Sequence, residues 1–215
     1  MSCIQFQFPK LSLCNLNWFI FLDSISTIKY KITATPICWN GAQSGYTLNT
    51  DGSATQNGLS SSGGGILRAP GGKIIFAYSL YFGQGTNMCA ESLALLVGLI
   101  ICDKLVITNI NVRCDSKILV DMLNGKVSMP WHIRPIIKKI SRYKGGILEF
   151  KHCFREANTV ADALAKEGNT HHNNTIYTCV SQLTQQVRAL ISLDSMNVSN
   201  LRFSKYLSLY TVHKY

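Results

Sequence analysis

The chain has 215 residues, enough for one domain of ordinary size with extensions on either side. Hydrophobic residues make up 47% and charged residues only 15%, which excludes disorder along the whole chain as well as collagen-like and coiled-coil proteins. Lysine and arginine outnumber the acidic residues by 21 to 11, giving a formal net charge of +10. This charge favours a polyanionic partner, such as nucleic acid or an anionic membrane surface.

Two apolar stretches bear on a membrane or secretory segment. Residues 93–102 are uninterrupted, and residues 11–22 are broken by three polar residues. Neither reaches the roughly 18 residues that a membrane-spanning helix needs. We therefore expect nucleic acid as the partner and no membrane. A cleaved signal at residues 11–22 is disfavoured, since only Lys10 precedes it as a basic residue, and a disordered start or a small packed element is preferred.

The eight cysteines contain no C-x-x-C pair, and Cys102 and Cys114 lie within apolar runs. This usage is unlike a zinc site or a disulfide framework. It predicts buried thiols in a reducing intracellular compartment, the nucleus or the cytoplasm.

The informative part of the chain opens with strand patterns. Residues 46–51 alternate between apolar and polar side chains, and the glycines at 63–65 lead into a short apolar pair. A Pro-Gly-Gly turn at 70–72 then separates this pair from the mainly apolar segment 73–81. The three segments predict an antiparallel opening of hairpin type.

The pattern then changes to alternating helices and strands. Residues 87–102 lack proline and are apolar around nearly the whole circumference, which predicts a central, buried helix. The later predicted segments are a strand at 110–115, a helix at 116–123, a basic helix at 135–142, a strand at 147–154 and a helix at 158–167 that stops at Gly168. This order predicts an α/β fold with a mixed sheet flanked by helices.

The two ends of the chain are predicted to be extensions. Residues 169–175 look like a linker, so residues 1–45 and 170–215 flank a domain that a protein trimmed to about residues 40–172 should retain. Five apolar residues beyond the linker keep helical spacing: Val180, Leu183, Val187, Leu190 and Ile191. Core packing, a partner surface and the absence of fixed structure all remain open for them.

Three of the eleven acidic residues occupy unusual places. Asp51 ends the first predicted strand, Asp115 ends the fourth, and Glu91 lies near the start of the buried helix. Each alone has an ordinary explanation as a turn residue, a helix cap or an acid at a helix start. Together they could converge on Mg²⁺, which prefers oxygen ligands and would relieve their mutual repulsion.

Four motifs in order carry a family resemblance. They are N-T-D-G-S at 49–53, T-N-x-x-A-E at 86–91, C-D-S at 114–116, and H-C-F-R-E-A-N-T-V-A-D-A-L-A at 152–165. The block from 46 to 169 resembles a type 1 ribonuclease H domain, most closely the reverse-transcriptase-associated form common in plant genomes. The resemblance implies a ribonuclease H-like fold, with a five-stranded mixed sheet of three antiparallel and two parallel strands.

The resemblance also implies a metal site. The metal-binding carboxylates of the family fall on Asp51, Glu91, Asp115 and Asp162. Two Mg²⁺ ions, for which Mn²⁺ can substitute, would activate a water and stabilise the leaving 3′ oxygen. His152, ten positions before Asp162, matches the mobile histidine thought to assist product or proton exit.

Substrate contacts follow from the same resemblance. Asn87 matches an asparagine that contacts 2′-hydroxyl groups, the groups that distinguish RNA from DNA. Helix capping is its competing explanation. Gly52 and Ser53 are the other implied contacts, because glycine allows close approach. Asn158 resembles a further substrate-side residue.

This chain departs from the family pattern in one respect. Several bacterial members bind the hybrid with a basic protrusion, and residues 116–146 are too short to contain one. By charge alone, a basic helix could replace it, with the residues Arg134, Lys138, Lys139, Arg142 and Lys144.

The leading hypothesis is a monomeric endonuclease that cuts the RNA strand of RNA/DNA hybrids. The alternatives are a non-catalytic, retroelement-derived nucleic-acid-binding domain and a nuclease of the same fold acting on another RNA substrate. The complete carboxylate set argues against the first alternative.

Overall fold

The structure is a computed structural model that describes the backbone of residues 28–209 and the side chains of residues 32–205. The apolar stretch at residues 11–22 lies outside the described residues. The chain divides into two compact units, of which the larger comprises residues 36–200. In the smaller unit, strand β1 (Ile28–Ile37) pairs with strand β8 (Asn200–Leu209) in a two-stranded sheet.

A mixed sheet forms the centre of the larger unit. Its strands are β2 (Tyr46–Ala54), β3 (Ser61–Arg68), β4 (Ile74–Gly83), β5 (Ile110–Cys114), β6 (Ile147–His152) and β7 (Thr175–Tyr177), in the spatial order β6-β5-β2-β3-β4-β7. Strands β2, β3, β4 and β7 pair antiparallel in turn, whereas β5 is parallel to both β2 and β6. The predicted α/β class and mixed sheet are confirmed.

Helices cover both faces of this sheet. They are α1 (Asn87–Lys104), α2 (Lys117–Leu123), α3 (Arg134–Ile140), α4 (Thr159–His171) and α5 (Gln185–Ser195). Short 3₁₀ helices occupy Ser141–Gly146, Arg155–Ala157 and Val180–Gln182. Among the described residues, no helix combines the length and the apolar character needed to cross a membrane.

The main sheet has one strand more than the five predicted. The additional strand β7 pairs antiparallel with β4, with Tyr177 opposite Ala77 and Thr175 opposite Ser79. Three residues are too few to show the alternation that reveals a strand in a sequence. Residues 169–175, which look like a linker in the sequence, contribute the end of α4 and the first residue of β7.

Alternation along the central strands produces two hydrophobic cores. Successive strand residues point to opposite faces, so Leu67 and Tyr78 join the larger core with α1, α2 and α3. Their neighbours Ile66 and Ala77 join a second core with residues of α4 and α5. The sheet is therefore buried from both sides at its centre.

Helix α1 is buried as predicted. It begins after Thr86, whose Oγ1 accepts a hydrogen bond from the Cys89 backbone N–H at 3.3 Å. Leu95 and Leu99 of this helix are fully buried in the larger core. A helix that is apolar on nearly every side is stable only when other elements surround it in this way.

Helix α4 continues through Gly168, where the sequence predicted its end. A Cβ at this position would lie 2.5 Å from the backbone oxygen of Leu80, so the glycine allows α4 to approach β4 closely. The helix ends at His171, and His172 adopts a left-handed conformation with φ of 51°. The glycine therefore serves packing and not termination.

Four of the five C-terminal apolar residues pack on the core, whereas Val180 is 41% exposed. Leu183, just before the helix, and Val187 within it are buried in the second core with Ile66. At the other end of α5, the Asp194 carboxylate forms an ion pair with the Arg68 guanidinium at 2.8 Å. The protein trimmed to residues 40–172 would lose both attachments.

Replacing Leu183 with alanine in the full chain should lower the free energy of unfolding by about 2–4 kcal/mol, because it leaves a cavity in the second core. Leu193→Ala is the matched control, since Leu193 is 44% exposed whereas Leu183 is 4% exposed. Urea denaturation of both variants measures the difference. Equal stability of the two variants would show that Leu183 contributes nothing to the second core.

Candidate active site

The parallel pairing of β2 with β5 brings two carboxylates together. Thr50 lies opposite Cys114 in this pairing, so the next residues along the two strands, Asp51 and Asp115, lie side by side. Asp115 directly follows β5, as predicted. Strand β2 continues for three residues beyond Asp51, so this aspartate lies within the strand and not at its end.

Glu91 reaches the same place because α1 packs tightly on β2. A Cβ at Gly52 would lie 2.1 Å from the Glu91 backbone nitrogen and 2.4 Å from the Ala90 carbonyl carbon. Only glycine allows this approach. Gly52 therefore has a packing role that sequence reasoning missed, and its contact with substrate remains a prediction.

The fourth carboxylate belongs to Asp162, in the first turn of α4. Its two oxygens accept hydrogen bonds from the Arg155 guanidinium at 3.1 Å and from the Lys166 ammonium at 2.6 Å. Both basic side chains are largely exposed, so these ion pairs contribute little to stability. Arg155 is a residue of the site that the sequence analysis did not single out.

The four carboxylates border a single cavity of about 350 Å³. The residues that line it are Asp51, Gly52, Ser53, Ala54, Asn87, Glu91, Asp115, Arg155 and Asp162. Seven of the nine predicted site residues are therefore brought together, and His152 and Asn158 are not among the residues lining this cavity.

Burial and mutual repulsion disfavour the charged forms of two of these carboxylates. Burial, followed by the negative charges of Glu91 and Asp115, raises the pKa of Asp51 to about 9. Burial and the charge of Asp115 likewise raise the pKa of Glu91 to about 8, against hydrogen bonds from the Cys114 thiol and the Gly52 backbone. A bound cation would reverse this penalty.

The donor atoms of the site fit a hard divalent cation. Glu91, Cys114 and Asp115 place one potential ligand atom each within 4.8 Å of the others. Burial raises the pKa of Cys114 well above its ordinary value, and its thiol lies 3.5 Å from Glu91 Oε2 as a hydrogen-bond donor. The thiol therefore stays protonated, and the remaining donors are carboxylate oxygens, which Mg²⁺ and Mn²⁺ prefer.

Asn87 borders the cavity at the start of α1. Thr86 is the capping residue, so capping does not explain Asn87. The Asn87 Oδ1 accepts a hydrogen bond from the Ala54 backbone N–H at 2.7 Å, and the side chain is exposed. Ser53, two residues beyond Asp51, is partly exposed on the same border.

Asn158 lies behind the carboxylates. It is 2% exposed, and its Nδ2 donates to the Thr50 carbonyl oxygen at 3.0 Å and to Asp115 Oδ1 at 3.5 Å. A buried amide in this position favours a positioning role over direct contact with substrate. Its assignment as a substrate-side residue remains a prediction.

His152 ends strand β6 opposite Cys114 of β5. Its ring is 5.9 Å from that of Phe154, and it borders a separate, larger cleft with Arg113 and Glu149. His152 is therefore on the strand next to β5 but does not line the carboxylate cavity. A part for His152 in catalysis remains a prediction.

Three solved structures share this arrangement of sheet and helices. The RNase H1 of Halobacterium salinarum is 25% identical, with a TM-score of 0.55 over 59% of this chain and 98% of that chain. LC11-RNase H1, solved in complex with an RNA/DNA hybrid, is 29% identical, with a TM-score of 0.54 over the same shares. An N-terminal RNase H domain from Mycobacterium tuberculosis, 22% identical over 59% of this chain and 94% of that chain with a TM-score of 0.56, shares the fold. The chain therefore contains a ribonuclease H-type domain.

The sequence match defines the family more narrowly. The family model described as "Reverse transcriptase-like" matches residues 49–168, more than half of the chain, and the chain belongs to that family. The Arabidopsis thaliana protein named "Putative ribonuclease H protein At1g65750" is 28% identical over 120 residues, which is 55% of this chain. The chain spans only 19% of the length of that relative.

The metal-free protein should lose stability as the pH rises from about 5 to 8. In this range the unfolded carboxyl groups, with pKa values near 4, are ionised, whereas Asp51 and Glu91 retain protons up to about 9 and about 8. The unfolded state then binds fewer protons, so the free energy of unfolding falls with pH. Urea denaturation across this range measures the slope.

Asp51→Asn is the control for this slope, because it removes one of the two groups and should flatten the pH dependence. For the wild-type protein at pH 8, Mg²⁺ at about one hundred times its dissociation constant should raise the free energy of unfolding by about 2.7 kcal/mol. A wild-type slope identical to that of Asp51→Asn would contradict the raised pKa of Asp51.

Proposed function

We propose that the protein is an endonuclease that hydrolyses the RNA strand of RNA/DNA hybrids with two divalent metal ions. The observation that carries this proposal is the convergence of four carboxylates on one cavity, of which Asp51 and Glu91 are 5% and 9% exposed. Buried carboxyl groups that repel each other must either take up protons or bind a cation. A structural role alone would not require all four.

Asp51, Glu91, Asp115 and Asp162 would hold the metal ions. Two Mg²⁺ ions bound there would supply a nucleophilic water and stabilise charge at the leaving 3′ oxygen, so that the products would carry 5′-phosphate and 3′-hydroxyl ends. The chain contributes the rigid placement of the carboxylates by β2, β5, α1 and α4. Asp162 would exchange its ion pairs with Arg155 and Lys166 for a metal contact, which the exposure of both basic side chains makes inexpensive.

Recognition of RNA would involve the border of the cavity. Asn87 is exposed there and has an amide whose Oδ1 is already used by the Ala54 backbone. Its Nδ2 is then the group directed at a 2′-hydroxyl, the feature by which a protein distinguishes RNA from DNA. The complex of LC11-RNase H1 with an RNA/DNA hybrid supports this substrate class for a protein of the same fold.

The basic residues of α3 and the following turn would contact phosphates away from the cavity. Ile137 and Ile140 bury one side of α3 against the larger core, which leaves Lys138 and Lys139 exposed. Arg142 borders a cleft together with Leu99 of α1. Leu99 lies about 12 Å from Glu91 along the axis of α1. A strand of nucleic acid covers that distance in about four nucleotides.

Purified protein should cut the RNA strand of a labelled RNA/DNA hybrid in Mg²⁺ or Mn²⁺ and leave single-stranded DNA intact. Asp51→Asn should lower cleavage by several orders of magnitude while the protein remains folded, because the substitution removes charge needed for metal binding. A gel assay of end-labelled hybrid, with circular dichroism of both proteins, measures the two effects.

His152→Ala is the matched comparison, since His152 does not line the carboxylate cavity. Its loss of activity should be much smaller than that of Asp51→Asn. Wild-type protein that binds the hybrid without cutting it in either metal would overturn the enzyme proposal in favour of the non-catalytic, retroelement-derived binding domain.

Replacing Lys138 and Lys139 with glutamine should weaken hybrid binding and flatten its dependence on salt. Each lost phosphate contact removes slightly less than one unit from the log–log slope, so the double variant should lose up to about 1.8 units. The control is Lys73→Gln with Arg188→Gln, which removes the same charge from exposed positions of the β3–β4 turn and α5. Fluorescence anisotropy at several salt concentrations measures the hybrid affinity of both double variants. Only the α3 variant should show the flatter salt dependence.

A further inference from the structure

A chain of buried and partly buried hydrogen bonds leads from the segment before β2 to the carboxylate site. The Trp39 indole Nε1 donates to Asn49 Oδ1 at 3.0 Å, and Asn49 Nδ2 donates to Asn158 Oδ1 at 3.0 Å. Asn158 Nδ2 then donates to the Thr50 carbonyl oxygen at 3.0 Å and to Asp115 Oδ1 at 3.5 Å. Asn49 and Asn158 are almost fully buried.

The two ends of this chain fix the orientation of both amides. A backbone carbonyl only accepts, so Asn158 must turn its Nδ2 towards Thr50 and Asp115, and its Oδ1 towards Asn49. Asn49 must then present Nδ2 to Asn158 and Oδ1 to a donor. The indole N–H only donates, and Trp39 is the partner recorded for this oxygen. Without it, a buried acceptor is left unpaired.

Trp39 is itself held in place from the other side. The Arg68 guanidinium lies over its ring at 4.3 Å from the ring centroid, and Arg68 is paired with Asp194 of α5. Trp131, in contrast, is 82% exposed. Trp39 therefore lies between the Arg68 guanidinium and the Asn49 amide, and these two contacts fix the orientation of its ring.

We infer that Trp39 is a positioning residue for the metal site, acting through Asn49 and Asn158 on Asp115 and on the peptide that precedes Asp51. The inference rests on the proposed function, because it requires the metal ions that are proposed there. Trp39 lies ten residues before the start of the family match, in a segment that the sequence analysis assigned to an extension. Groups that orient metal ligands typically change metal affinity or activity by 10- to 100-fold when they are removed.

Trp39→Phe tests the inference, because it keeps an aromatic ring at this position and removes the N–H donor together with part of the indole. Calorimetric titration of the full chain with Mg²⁺, without nucleic acid, should show about tenfold weaker binding than wild type. Hybrid cleavage should show a lower kcat with an unchanged KM. Trp131→Phe should change none of these quantities, and Leu183→Ala should reduce stability without changing Mg²⁺ affinity.

A double variant separates action through Asn158 from a general loss of packing. If Trp39 acts through Asn158, adding Trp39→Phe to Asn158→Ala should weaken Mg²⁺ binding no further than Asn158→Ala alone. In the wild-type protein, Mg²⁺ should also shift the NMR signal of the Trp39 indole N–H and leave that of Trp131 unchanged. This second measurement needs no destabilised variant.

Unchanged Mg²⁺ affinity in Trp39→Phe, additive effects in the double variant, or a Trp39 signal that ignores Mg²⁺ would each overturn the inference. Wild-type protein that binds no Mg²⁺ would overturn it together with the proposed function. Wild-type protein that binds Mg²⁺ but cuts no hybrid would overturn the proposed function alone, because the Mg²⁺ titrations still test Trp39.

Discussion

The repulsion among closely placed carboxylates is the constraint on which the site depends. Four carboxyl groups from β2, α1, β5 and α4 border one cavity, and burial prevents water from screening the charges of Asp51 and Glu91 when they ionise. The surrounding fold must therefore hold them against their electrostatic preference. It does so with tight backbone packing at Gly52, two hydrophobic cores and buried amide hydrogen bonds, none of which carries a net charge.

The elements that satisfy this constraint have different origins in the sequence. Strands β2 and β5 place Asp51 and Asp115 by register alone, since Thr50 and Cys114 are already partners in the parallel pair. Glu91 depends on a helix that can approach β2 closely, which a side chain at position 52 would prevent. The position of Glu91 in the site thus depends on the glycine that follows Asp51.

Much of this arrangement was predictable from local patterns. The alternation in β2, the apolar helix α1 and the order of the motifs predicted the α/β class and the mixed sheet, and the unusual positions of the acids indicated a metal site. Strand β7 was not predicted, because three residues are too few to show periodicity. The end of α4 was wrongly predicted at Gly168, because a glycine that permits close packing cannot be distinguished in the sequence from one that ends a helix. Neither the burial of Asn158 nor its link to Trp39 could be predicted, since both depend on contacts between residues distant in sequence.

The parallel pairing of β2 with β5 also has a consequence for the order of folding. The β2–β3–β4 meander joins neighbours in sequence and closes only short loops, whereas Asp51 and Asp115 meet across 64 residues and Asp162 comes from still further along the chain. Contacts of such long range form late, because loop-closure entropy must be overcome first. A meander that forms first would hold Asp51 without its companions, and the electrostatic cost of gathering the carboxyl groups would then fall on the later steps of folding.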